Sequence, residues 1–430
     1  VADRQKREKL TPQLITSAAF IAWGKTFFTE KSLSAVAREL EITKPALYRH
    51  FRNKAALEEA LIQEFSDAYG ASVLDRIPAS FSTRSDFVPV FATLVHEFFR
   101  ANPYFYAFMV HQVLRFHAPA GEALGTLWDR QYRLIREILG TTPDGRLTSP
   151  EDLDDMVRYV INATAFWTSR SLRLHTSMQN GVTVFDPAGV PDDEEHSRRT
   201  IDEAVVTILT GCVHKPLTRS ELDLVEQVAW IHPEDMLEPD RIITAIEAVV
   251  LEVGYPEATI ERIAARLGMT KSSLYFYFRN KDDMLGSMVR REQQHFLRLV
   301  RQRFQVLPSP EQRLYSLFVM NASYSLNHPS WSTVQSWLQH NRIEFSPAPK
   351  HRAEAVRFVQ ELQEMVSGQS ENGDDRTGLE ILSFITLLVR HCLQHRGFSA
   401  EKASVLRSIR RLYTYFIHGI LPEEPEEDNR

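Results

Sequence analysis

Between Lys271 and Lys281 the sequence KSSLYFYFRNK crowds donors and flat rings into one short stretch: Lys271, Ser272, Ser273, Tyr275, Phe276 and Tyr277, followed by Arg279 and Lys281. Ammonium, guanidinium and hydroxyl donors beside aromatic faces can hold phosphate oxygens and meet base edges, which is the chemistry of nucleic-acid binding. No Gly-rich phosphate loop, cysteine cluster or nucleophile motif competes with it, and no enzymatic activity is expected. The stretch also occurs twice. LEITKPALYRHFRNKAAL at 40–57 matches LGMTKSSLYFYFRNKDDM at 267–284 with a constant offset of 227. The match runs upstream without a gap through Ala37/Ala264, Ala18/Ala245, Ile15/Ile242, Pro12/Pro239 and Leu10/Leu237, so the chain is two copies of one unit.

These residues need a scaffold. In TIERIAARLGMTKSSLYFYF, 259–278, Thr259 caps a short helix, and Ile263, Ala264 and Leu267 form its buried stripe. Gly268 supplies a left-handed turn and Thr270 caps the next helix. This is a helix-turn-helix pattern, whose second helix enters the major groove and sets its early residues against base edges. Ala264 is small enough for the two helices to approach closely. Leu274 and Phe278, four residues apart, face the core, as do Leu47 and Phe51 in the first copy.

At these residues the chain resembles the tetracycline-repressor (TetR) family of transcriptional regulators. The resemblance is carried by GYPEATIERIAARLGMTKSSLYFYFRNKDDML in the second half and LSAVARELEITKPALYRHFRNKAAL in the first. It implies an all-α fold of two TetR-like halves, each a three-helix helix-turn-helix DNA-binding domain followed by a six-helix regulatory domain. The halves would pair through their last two helices as an intramolecular pseudo-dimer. Position by position, the resemblance implies that Lys44, Pro45, Ala46, Tyr48, Arg49 and His50 face DNA in the first half, with Lys54 on a phosphate. In the second half it implies Lys271, Ser272, Ser273, Tyr275, Phe276, Tyr277 and Lys281. It also implies a small effector on the middle helices, held by Phe105, Phe108, Met109, Gln112, Asn162, Phe166 and Arg170 in one half and by Trp331, Trp337, Phe358 and His391 in the other. Two positions depart from the pattern: Glu41 stands where the turn has Gly, and Phe27 stands where the second copy has Gly254. A left-handed Glu41 carries roughly 1 kcal/mol of strain, unless its turn differs.

Elsewhere apolar residues recur at helical spacing and strand signals are almost absent, which predicts a nearly all-α chain. Nine helices recur in order in each half, among them 84–101, 150–177 and 195–214, and then 281–304, 310–327, 329–340, 350–367 and 400–420. MQNGVTVFDPAGVPDD, 178–193, reads as a turn-rich loop. The domains are then a first reader at 1–56, its regulatory domain at 57–214, a partly helical linker at 215–236, a second reader at 237–283, its regulatory domain at 284–421, and a disordered acidic tail at 422–430. Apolar faces at Ile201, Ala204, Val205, Ile208 and Leu209, and at Leu406, Ile409, Leu412, Tyr413 and Phe416, suit a four-helix bundle.

The net charge of −6 argues against indiscriminate polyanion binding, yet it is spread unevenly. Residues 1–57 hold eleven basic against five acidic side chains, a net +6. The second reader keeps Arg262, Arg266, Lys271, Arg279 and Lys281, but Glu234, Asp235, Glu238, Asp240, Glu247 and Glu252 surround its approach and weaken phosphate attraction. Glu39 and Glu261 lie near the DNA side, where a carboxylate repels phosphate more readily than it reads cytosine. No apolar run approaches the roughly 18 residues of a membrane span, and the charged start VADRQKREKL is no secretory signal, so a soluble cytoplasmic protein is expected. Cys212 and Cys392 read as separate buried thiols, and no metal or cofactor set assembles around them or around the histidines. The expected partners are a double-stranded DNA operator and a small-molecule effector, with no membrane. The alternative is a helical protein-interaction module in which one or both readers have lost DNA.

Overall fold

The computed structural model describes residues 10–26, 28, 31–113, 122–142, 149–173, 176–179, 182–185, 194–212, 215–238, 240–253, 258–276, 281–329, 360, 376–396 and 401–421. The first reader is α1 (Pro12–Gly24), α2 (Leu33–Glu39) and α3 (Lys44–Tyr48). Helix α4 (Lys54–Ser72), opened by Asn53 whose Oδ1 accepts from the Ala56 amide at 2.8 Å, leads into α5 (Arg84–Ala101), α6 (Pro103–Val113), α7 (Glu122–Thr141), α8 (Pro150–Arg173) and α9 (Glu194–Thr210). Helix α5 has the bounds expected of it because Thr83 and Asp86 form a reciprocal capping box, each side chain bonded to the other's amide at 3.0–3.1 Å.

The second half repeats this plan in α11 (Arg241–Val253), α12 (Ile260–Arg266), α13 (Lys271–Phe276), α14 (Lys281–Phe304), α15 (Pro310–Asn327), α16 (Arg376–Arg396) and α17 (Lys402–His418). The helices expected at 329–340 and 350–367, and the tail at 422–430, lie outside the described residues. In the linker, Thr218 and Glu221 cap α10 (Arg219–Ala229), which packs on α15. Its Glu226 is buried because Tyr315 donates to it at 2.5 Å and Arg410 pairs with it, so the linker helix is built into the second half.

One expectation is corrected. Residues 176–179 and 182–185 form an antiparallel hairpin, β1 (Thr176–Gln179) and β2 (Val182–Phe185), with Thr176 opposite Phe185 and Gln179 opposite Val182. Helix α8 therefore stops at Arg173 rather than 177, and the segment read as a loop begins with a strand pair. Four-residue strands show too little alternation to register as a pattern. The signal that was present is Asn180-Gly181, a favoured two-residue hairpin dipeptide.

The halves meet through α8, α9, α16 and α17. At the helix ends the contact is reciprocal: the Cys212 amide donates to the Phe416 carbonyl at 3.1 Å, and the Ile420 amide donates to the Ile208 carbonyl at 3.0 Å. Both pairs are related by one offset of 208, as are the left-handed Gly211 (φ 71°) and Gly419 (φ 72°) beside them. Polar groups fix the register. Arg411 of α17 pairs with Asp152 and Asp155 of α8, Ser408 donates to Asp155 at 2.8 Å, and Arg84 of α5 donates to the Ile420 carbonyl at 2.8 Å. Of the faces expected to pair, Ala204, Ile208, Leu209, Ile409, Leu412, Tyr413 and Phe416 are buried. Cys212 and Cys392 are free thiols, and no described helix is long and apolar enough to cross a membrane.

Candidate nucleic-acid interface

The two readers share one turn. In the first, the Ile42 amide reaches the Ala37 carbonyl at 2.9 Å and the Glu41 amide reaches Arg38 at 3.1 Å. In the second, Met269 reaches Ala264 at 2.9 Å and Gly268 reaches Ala265 at 3.0 Å, at the same offset of 227. Ala37 and Ala264 are both buried where the two helices meet. The turn demands a left-handed residue, so Gly268 adopts φ 70° and Glu41 is forced to φ 53°. Glu41→Gly is expected to stabilise the protein by up to about 1 kcal/mol, since the released strain exceeds the added chain entropy only modestly. Unchanged or lower denaturant midpoints would contradict this. Phe27 lies outside the described residues; its neighbour Phe28 is left-handed at φ 64° and buried.

Turn and caps aim the second helix of each reader outward. Thr259 accepts from the Arg262 amide at 3.4 Å and Thr270 from the Ser273 amide at 3.0 Å, as their positions predict. Thr43, ahead of Pro45, makes no side-chain cap. In the first reader Lys44, Pro45, Tyr48, Arg49, His50 and Lys54 are exposed, Ala46 is half-buried, and Leu47 is buried beneath them. Tyr48 is 50 % exposed, too open for a core-edge ring. Lys54 stands 3.7 Å from Glu58, which also pairs with Lys31 at 3.0 Å. Arg38 and Arg52, counted in the basic charge but absent from the expected contact set, are exposed on the same reader with no ion pair among the described residues. In the second reader Lys271, Ser272 and Ser273 are exposed. Tyr275, Phe276 and Lys281 sit on their helices, their side chains being outside the description, and Tyr277 lies outside the described residues.

Charge is arranged oppositely in the two readers. Lys25 bonds Glu39 at 3.0 Å between the ends of α1 and α2; at the matching positions Arg266 bonds Glu252 at 3.2 Å, the same bridge with its signs exchanged. Arg38 is matched by Ala265, and Ser34 by Glu261. Glu261 takes the Lys271 ammonium at 2.5 Å, and that ammonium holds the Glu261 carboxyl below the usual carboxylate range. Among the described residues, Lys44, the first reader's counterpart, pairs with no carboxylate, Ser34 standing where Glu261 stands in the second. Glu261→Ser is therefore expected to raise affinity for the second half-site about two- to five-fold at low salt, the size expected of one exposed pair, and to leave the first half-site unchanged. Equal affinities before and after would remove Glu261 from the interface.

The residues expected to hold an effector fall into separate groups. Phe105, Phe108 and Met109 of α6 belong to an aromatic cluster that includes the reader: Phe20 of α1 lies 4.5 Å from Phe105 and 5.4 Å from Phe108, and Gln112 is half-buried one turn along from Phe108. On α8, Asn162 bonds its own helix at the Arg158 carbonyl, Phe166 stacks on Phe384 of the other half at 4.6 Å, and Arg170 pairs with Glu203 at 3.2 Å. His391 is half-buried on α16, while Trp331, Trp337 and Phe358 lie outside the described residues. An open groove of about 510 Å³ runs along the outer face of α9, lined by Trp167, Arg198, Glu203 and Val206 among others; none of the expected effector residues lines it. Among the described residues no cluster of three metal-ligating side chains assembles.

Two segments, 15–61 and 242–288, match the model of the bacterial regulatory proteins of the tetR family. The chain is similar to the HTH-type transcriptional regulator BetI of Proteus mirabilis (strain HI4320), 25 % identical over 120 residues that cover 28 % of this chain and 60 % of that protein. It is also similar to the fatty acid metabolism regulator protein of Bacillus subtilis (strain 168), 22 % identical over 144 residues, 33 % of this chain and 72 % of that protein.

Proposed function

We propose that this chain, two segments of which match the model of the tetR family of bacterial regulatory proteins, is a DNA-binding transcriptional regulator that works as a built-in pseudo-dimer, one polypeptide setting two unlike readers on one non-palindromic operator. The observation that carries this reading is the shared turn with divergent contact residues: Pro45, Ala46, Arg49 and His50 in one reader stand where Ser272, Ser273, Phe276 and Tyr277 stand in the other. A homodimer presents two identical helices and selects a palindrome; fused copies are free of that constraint. The reciprocal backbone hydrogen bonds between the ends of α9 and α17 support pairing within the chain.

The protein acts in the cytoplasm as a repressor released by an effector. For the signal to reach DNA, the effector must bind the DNA-incompetent arrangement better, by about 1 to 3 kcal/mol for a 5- to 150-fold loss of operator affinity. Helix α6 is the route the packing favours, since Phe105 and Phe108 touch Phe20 of the reader directly. A second reading, in which the second copy has given up DNA, draws its support from the Lys271–Glu261 pair.

Selection of bound sites from random DNA, with footprinting and mass measurement of the complex, tests the proposal. The expected result is an asymmetric site occupied by one chain. A symmetric site, or two chains sharing one site through their first readers alone, overturns it.

A further inference from the structure

Each reader rests on the helices below it through matching positions, and the two halves fill those positions with opposite chemistry. In the first half they are aromatic: Phe20 of α1 meets Phe105, while Phe65 of α4 lies 5.2 Å from Phe108 and 6.2 Å from Phe98 of α5. Asn102 closes α5, its amide bonded to the Phe98 carbonyl at 2.8 Å. The offset of 227 carries Phe20 to Glu247 and Phe65 to Glu292, and the offset of 226 that superposes Asn102-Pro103 on His328-Pro329 carries Phe98 to Tyr324 and Asn102 to His328. A greasy joint in one half is a titratable joint in the other.

The groups of the second joint engage one another. Tyr324 of α15 donates to the Glu292 carboxylate of α14 at 2.6 Å, and Glu292 is only 1 % exposed. His328 Nε2 stands 3.7 Å from the same carboxylate, and the Glu247 charge, on α11, the reader's first helix, also acts on the imidazole. Among the described residues, other charged groups act on the joint: Arg291 of α14 acts on Tyr324; His295 of α14, whose ring lies 6.3 Å from Tyr324, takes Arg298 at 2.9 Å; and Asp235, ahead of the second reader, acts on His295 against the burial. A buried carboxylate is tolerated only while its partners stay in place, so the joint's geometry depends on its proton content. We propose that Glu247, Glu292, Tyr324 and His328 position the second reader on its helical base in a proton-dependent way, so that acidification loosens the second reader's hold on DNA and spares the first. This rests on the DNA-binding reading above.

The sign follows from burial. Loss of water outweighs the two carboxylates and lowers the His328 pKa, so the closed joint favours the neutral ring. Stability held by a lowered histidine is present above its ordinary value of about 6.5 and is lost as pH falls through the lowered one. His295 is pushed the same way, by burial first and Arg298 second, and reinforces the direction.

The full chain is titrated against the selected operator with one half-site scrambled at a time, from about pH 7.5 to about pH 5.5 at fixed ionic strength. Hydrogen exchange in 241–276 is followed without DNA over the same range. The expected result is a loss of about five-fold or more at the second half-site, faster exchange in 241–276, and no comparable loss at the first half-site. His328→Asn, which installs the first half's residue, should flatten both responses, whereas Glu292→Gln, which removes a carboxylate that raises the His328 pKa, should leave them at least as steep as in the wild type. Wild-type chain with flat exchange and flat binding, or a His328→Asn variant that keeps the wild-type slope in both, overturns the proposal. Exchange that responds to pH in a chain binding no DNA at any pH would uphold the joint and refute the DNA reading.

Discussion

Gly419→Ala is expected to destabilise the protein by roughly 2 to 5 kcal/mol, and Gly211→Ala by a similar amount. Each glycine is left-handed, which costs an L side chain about 1 to 2 kcal/mol. Each also presses on the other half's backbone: a Cβ on Gly419 would lie 2.1 Å from the Leu209 carbonyl oxygen, and one on Gly211 would lie 2.2 Å from that of Ile417. Backbone cannot rotate away as a side chain does, so the helix ends must separate, with an overpacking cost of roughly 1 to 3 kcal/mol. The hydrogen bonds donated by the Cys212 and Ile420 amides across the junction would lengthen with them. Gly125→Ala on α7, where an added Cβ meets nothing within 4 Å, serves as the control and should be neutral or mildly stabilising. Denaturant unfolding measures all three. Junction variants as stable as the control would mean that the halves do not meet at these ends.

The parts of this architecture that were legible in the sequence are those built from local signals. Thr83 with Asp86, Asn53, Thr259 and Thr270 set helix starts through contacts a few residues long, and a single sequence displays such contacts. The left-handed turn was visible for the same reason, because Gly268 marks it in one copy and the repeat carries it to Glu41 in the other. What escaped depends on distant partners. Glu226 reads as the polar face of a linker helix until Tyr315 and Arg410 are brought to it from 89 and 184 residues away. Glu261 was visible near the DNA side, but its engagement with Lys271 depends on the turn folding the two helices together. Phe105 and Phe166 looked alike as aromatic positions on middle helices; packing separates them, one against the reader's Phe20 and the other against Phe384 of the opposite half.

Arg49→Ala is expected to cost roughly 1 to 3 kcal/mol of binding at one half-site and to relax base preference there alone. Arg49 follows the last helical residue of α3, exposed and without an ion pair among the described residues, so its guanidinium is available to donate two bonds to a guanine edge. Its counterpart Phe276 has no donor and offers only apolar contact, for instance to a thymine methyl group. The same truncation in a homodimer would strike both half-sites and roughly double the loss. Lys54→Ala supplies the contrast, because a phosphate contact should weaken all sequences alike and lower the salt slope by about one counterion. Binding to operators mutated in one half at a time reads the difference. If Arg49→Ala relaxed both half-sites equally, two first readers would be on the DNA, and the second copy would have to be assigned another task.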